Sequence, residues 1–185
     1  MKRILRRLPL VGGAAALGVV LPTVAALAMG HGATPAQIRL PDQRLCTYVG
    51  PQPRQSDFGT SLTYDCGDDR GIQGAVTVEG THMTLDRERR ASFRQDAGVR
   101  VETVRFLIAE IVLADGTVCR HAGDGATLAF GGKRLNYTCG RSAGLIGDID
   151  MRAGGLFEVE KAALRGTELI ASEMVPIRRL GAVSR

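Results

Sequence analysis

The chain has three imidazoles, His31, His82 and His121, and four thiols, Cys46, Cys66, Cys119 and Cys139. A serine hydrolase needs a placed nucleophile beside its histidine, and no Gly-x-Ser-x-Gly elbow supplies one here. A cysteine nucleophile must be free, whereas the four cysteines fall into two pairs with the same spacing, 46 to 66 and 119 to 139. Zinc sites want cysteines two to four residues apart, so this spacing points to disulfides, which do not react as thiolates. Asp148 and Asp150 alternate beside Ile149 and Met151. No Asp-x-Asp-x-Asp-Gly loop accompanies them, so they read as solvated strand positions flanked by buried ones. Gly131-Gly132-Lys133 resembles the end of a phosphate loop, but Thr127 stands where that loop needs glycine. Asn136-Tyr137-Thr138 is a glycosylation sequon and reads as strand sequence. The expectation is a non-enzymatic chain with no catalytic residues, no cofactor and no metal site.

The elements that position these residues are written twice. Shifting the chain by 73 residues lays Ala36–Gly74 on Ala109–Gly147 without a gap, with 13 of 39 positions identical. Ala36, Ile38, Leu40 and Asp42 fall on Ala109, Ile111, Leu113 and Asp115, and Cys46 falls on Cys119. The closest block sets Leu62-Thr63-Tyr64-Asp65-Cys66-Gly67 on Leu135-Asn136-Tyr137-Thr138-Cys139-Gly140. Two copies at this period are an internal duplication rather than a solenoid. Four cysteines allow three pairings, and an ancestral single copy could close only its own two. The bonds expected are therefore Cys46–Cys66 and Cys119–Cys139. His82 aligns with Gly155 and His121 with Tyr48, so neither histidine belongs to the repeated pattern, and both read as lone surface residues.

Period-two alternation recurs in each copy, at Ile38 and Leu40, at Leu62, Tyr64 and Cys66, and at Met83 and Leu85. Gly50-Pro51, Asp115-Gly116 and Gly131-Gly132 punctuate the runs as turns. Val99–Leu113 is the longest β-branched run. It reads as the last strand of copy one continuing into the first strand of copy two, with Thr167–Ile177 as its counterpart. Leu85–Phe93, rich in Asp, Glu and Arg, offers a helix as the alternative, as does Glu158–Leu164 in copy two. The fold class expected is all-β: two tandem homologous small β units, barrel- or sandwich-like, each with one internal disulfide, spanning residues 36–108 and 109–180.

Ahead of the repeats, Lys2, Arg3, Arg6 and Arg7 precede an uncharged apolar run from Leu8 to Met29 with Ala26-Leu27-Ala28 near its end. Residues 1–28 read as a signal peptide, or as an N-terminal membrane helix if uncleaved. The leader also carries the basicity. The whole chain is +5, from 24 Lys+Arg and 19 Asp+Glu, and without four leader bases the remainder is 20 minus 19, or +1. Arg87, Arg89, Arg90, Arg94 and Arg100 cluster but alternate with acids, so no concentrated basic face for nucleic acid is expected.

Tyr64 and Tyr137 each stand two residues before a cysteine, on the strand face of its disulfide. They are expected to pack on the bridge, with ligand contact as the other role open to them. The tyrosine–x–cysteine strand followed by alternating strands is similar, over a short stretch of each copy, to secreted inhibitors of C-type lysozyme. The Ser-Gly-rich inhibitory loop of that family is missing, so its function is not carried over. The expected function is an exported, non-enzymatic β-domain protein of the periplasm, extracellular space or cell envelope that binds a protein partner there. The alternative is an accessory subunit of an envelope complex, membrane-anchored by an uncleaved leader. No nucleic-acid partner is expected, and a membrane contact only through that leader.

Overall fold

The computed structural model describes residues 35–50, 54–55, 61–67, 71–89, 100–123, 125 and 128–184. The expected leader, and with it the cleavage site and His31, lies outside them. The described residues are all-β, with strands and no helix. In chain order the strands are β1 Gln37–Arg39, β2 Leu45–Tyr48, β3 Arg54–Gln55, β4 Ser61–Asp65, β5 Gly71–Glu79, β6 His82–Arg89 and β7 Arg100–Leu113. They continue as β8 Val118–His121, β9 Ala129–Phe130, β10 Lys133–Thr138, β11 Ala143–Arg152, β12 Leu156–Arg165 and β13 Glu168–Val183.

The duplication is visible strand by strand. Shifted by 73 residues, β2 lands on β8 end to end, β4 on β10, β5 on β11 and β6 on β12. Turns repeat as well: Leu40 N–H donates to Arg44 O in copy one, and Leu113 N–H to Thr117 O in copy two, each at 2.9 Å. The aspartate shared by the copies has a physical reason in this turn. Asp42 Oδ1 accepts from Arg44 N–H at 3.2 Å, and Asp115 Oδ1 from Thr117 N–H at 2.7 Å, the Asx geometry that closes a tight turn. Between them Gln43 takes φ 69° where copy two has Gly116 at φ 85°. Copy one thus holds a side chain in the left-handed region that glycine occupies without steric cost.

Pairing runs β1-β2-β4-β5-β6-β7-β13 and returns from β13 to β1, the closing ladder being parallel, with Ile38 opposite Leu180. A second circuit runs β7-β8-β10-β11-β12-β13 and returns from β13 to β7. Two closed barrels therefore share β7 and β13. Each of these strands does two jobs along its length: β7 pairs with β6 over 100–107 and with β13 over 107–113, while β13 pairs with β12 over 168–176 and with β7 over 177–183. Closure removes the unpaired edges that invite aggregation.

A smaller cluster of Phe130, Leu135, Ile146 and Ala162 packs within copy two. The main core spans both circuits, drawing Ile38, Leu40 and Leu85 from copy one, Leu145 and Val159 from copy two, and Leu180 from the shared strand. The disulfides lie within it, joining Cys46 to Cys66 and Cys119 to Cys139 with Cα atoms 4.0 and 4.2 Å apart. Disulfides of this kind persist in an oxidising, extracytoplasmic compartment. Among the described residues no helix is long and apolar enough to cross a membrane.

Two local readings are settled. Of the helix left as the alternative, residues 90–93 lie outside the described residues. Residues 85–89 and 158–164 are strand in β6 and β12, as the all-β expectation has it, and not helix. Their charges pair across strands, Arg87 with Glu102 at 3.3 Å and Asp86 accepting from the Thr103 hydroxyl at 2.5 Å. Cross-strand partners override a helix-friendly composition. Met151, expected beside Ile149 in the core, is instead 44% exposed, one residue from the end of β11.

Candidate functional site

Tyr64 and Tyr137 are in the core, 2% and 1% exposed, and so serve as pillars of the fold. Tyr137 donates its hydroxyl to Ile108 O at 3.1 Å, beside the register break where β7 leaves its regular pairing with β13. Burial pushes both phenols well above the ordinary tyrosine range, and for Tyr64 the neighbouring Tyr48 adds to the effect. Each ring is met edge-on by the residue that ends the paired strand: Tyr48 on Tyr64 at 5.4 Å between centroids, and His121 on Tyr137 at 5.7 Å. Tyr48 and His121 are the same position of the two copies, and this is where the copies part.

In copy one the position is closed. The β11–β12 hairpin brings Gly155 directly onto Tyr48. A methyl group at Gly155 would lie 2.8 Å from Tyr48 Cδ2 and 3.2 Å from the Tyr64 hydroxyl, and the glycine has φ +72°. Only glycine fits both the space and the backbone. Gly155 O also accepts from Ala36 N–H at 2.9 Å, which pins the hairpin down.

In copy two the equivalent position is open. The β5–β6 hairpin presents His82 where the other hairpin has Gly155, and it faces His121 where the other copy has Tyr48. Between them is a cleft of about 400 Å³, a size typical of ligand sites. Glu79, Thr81 and His82 line it from the hairpin, Arg105 from β7, His121 and Gly123 from β8 and its end, Arg134 and Asn136 from β10, and Asp148 from β11. The two histidines expected to be isolated thus share one site, brought together from different copies. Asn136, read only as strand sequence, and Asp148, read only as a solvated position, belong to it too. The signal available in the sequence was that both histidines break the repeat.

Several groups in the cleft are fixed. His121 Nδ1 accepts from Gly123 N–H at 3.2 Å, which puts the hydrogen of the neutral ring on Nε2. Asn136 Nδ2 donates to Gly147 O at 2.8 Å, so its Oδ1 is oriented as an acceptor. Thr81 Oγ1 lies 3.4 Å from His82 Nδ1. Arg105 and Glu79 form a 3.7 Å ion pair with side chains 57% and 90% exposed, a contact worth little at a wet surface. Arg105 and Arg134 bring guanidiniums to the lining, and Glu79 and Asp148 bring carboxylates.

The remaining sequence candidates are structural. Gly131 and Gly132, at φ 57° and 82°, form the turn between β9 and β10, and the Lys133 ammonium is bound to Glu160. That contact and the Ser172 hydroxyl, which donates to Glu160 Oε1 at 2.6 Å, hold the Glu160 carboxyl below its ordinary range. Among the described residues no group of three or more His, Cys, Asp or Glu side chains is placed to hold a metal ion. No protein-family model, curated protein or solved structure matches the chain.

Proposed function

We propose that the chain is an exported, non-enzymatic β-domain protein of the periplasm or cell envelope that binds a protein partner through the two-histidine cleft. One observation carries this reading: the positions at which the copies differ, His82 for Gly155 and His121 for Tyr48, converge on one open polar cleft. The equivalent place in copy one is filled by a ring on a glycine. Shared residues such as Tyr64, Tyr137 and the four cysteines lie in or against the core, whereas His82 and His121, which the other copy lacks, line the open cleft. The test is site-directed photo-crosslinking in envelope preparations. A crosslinker at Asp148 is expected to trap a partner that one at Leu169, beside the turn of the β12–β13 hairpin, does not. Equal yields from both positions would remove the cleft from the reading.

The same cleft sets imidazoles beside carboxylates and the Thr81 hydroxyl, which favours a hydrolytic reading as the second one. Against it, the nitrogen of His121 that a triad acid would hold is already bonded to Gly123 N–H. Ester turnover well above that of free imidazole, lost in His82→Ala, would replace binding with catalysis.

A further inference from the structure

Taking the cleft as the binding site, we infer that it recognises a single carboxylate with an adjacent amide N–H, as at the free C-terminal end of a peptide chain. The inference rests on the reading above and names the chemistry of the occupant. The cleft offers donors to an anion: the Arg105 and Arg134 guanidiniums, the Nε2–H of His121 and the His82 ring. It also offers acceptors beside them, the Asp148 carboxylate and the Asn136 Oδ1, whose amide is oriented by Gly147 O at 2.8 Å. A bare anion site has no use for the acceptors. A peptide end uses both sets, with its carboxylate on the cations and its amide N–H on the acceptors.

Among the described lining groups, Arg105 and Arg134 bring guanidiniums and Glu79 and Asp148 bring carboxylates. Such a mixed lining suits a ligand that carries an anion and a hydrogen-bond donor side by side, which a bare inorganic anion does not.

The experiment is imidazole and amide NMR of the oxidised chain lacking the leader. It is titrated with acetyl-trialanine bearing a free carboxylate, the same peptide with an amidated end, acetate, and inorganic phosphate. The free-carboxylate peptide should give saturable shifts at His82, His121 and Asn136, with affinity at least tenfold above that of the amidated peptide and of phosphate, a difference of about 1.4 kcal/mol. Acetate binding as tightly as the peptide would assign the site to small acids rather than chain ends and overturn the peptide reading. Equal binding of the amidated peptide or of phosphate, or no saturable shift, would overturn the carboxylate. Arg134→Gln and His121→Gln should each abolish the shifts. If His121→Gln fails to fold, Arg134→Gln, on an exposed side chain, still decides. Failure here with crosslinking at Asp148 intact would leave a partner site of different chemistry. Loss of both would remove the cleft altogether.

Discussion

At the scale of single residues, hydrogen bonds at the shared strand and in the turns set the local stability. Tyr137→Phe removes the hydroxyl that donates to Ile108 O inside the core. It should cost about 0.5–1.5 kcal/mol, the net contribution of one such hydrogen bond, read by urea denaturation. The raised phenols carry a pH signature. A raised group contributes stability that is present below its unfolded value, near 10, and lost as pH rises above it. In a Tyr48→Phe chain, the phenolate absorbance of Tyr64 and Tyr137 should therefore appear together with alkaline unfolding and not before it. Asp115 behaves in the opposite sense. The Thr117 hydroxyl and N–H, with Lys161 at 3.0 Å, hold its carboxyl down at about 2. Its contribution is present above about pH 4 and fades as pH falls toward 2. Asp115→Asn should lower stability at pH 6, by less than about 1 kcal/mol because the side chain is half exposed. The difference should vanish in melts near pH 2.

At the scale of elements, each disulfide ties a strand to the end of its neighbour, β2 to the segment after β4 and β8 to the segment after β10. Closing a loop of about 20 residues contributes about 3 kcal/mol in the chain-entropy model. Cys46→Ser with Cys66→Ser, and Cys119→Ser with Cys139→Ser, should each lower stability by about that amount in chemical denaturation. Gly155→Ala should cost about 1–3 kcal/mol, since a methyl there meets the Tyr48 ring in a left-handed backbone. Most of this level was legible in the sequence. The pairing followed from the copies, and the β-branched run at Val99–Leu113 announced β7 crossing from one copy to the next. The helix alternative at Leu85–Phe93 was open because a charged run has no strand signal of its own. Glu102 and Thr103, the partners that settle residues 85–89 as strand, sit on another strand and are found only in the fold.

At the scale of the whole molecule, the closing pairs were not legible, because β1 meets β13 across nearly the full length of the repeats. No local pattern reports a parallel ladder of three residues. The cleft was hidden for a related reason: His82 and His121 are unremarkable one at a time, and only the fold brings the start of β6 and the end of β8 to one cleft. What the sequence did carry was their departure from the repeat. Since each circuit borrows strands from both copies, the two should not fold apart. A chain ending at Gly166 lacks β13 and so lacks both closures. It should lose the cooperative unfolding transition by circular dichroism, where the longer chain shows a single one. Two separate transitions in the longer chain would contradict the shared ladder.

The shared ladder also sets the order in which the protein can be completed. Synthesis delivers copy one first, yet its barrel shuts only when Arg179–Gly181 arrives to lie parallel to Gln37–Arg39. Until then copy one is an open sheet with a bare edge at β1 and Ile38, fully covered in the finished fold, without its lid. The first half of the chain thus waits on nearly the last residues described. Cys46–Cys66 lies inside that waiting half, joining β2 to the segment after β4, so in an oxidising compartment it can close before β13 is in place.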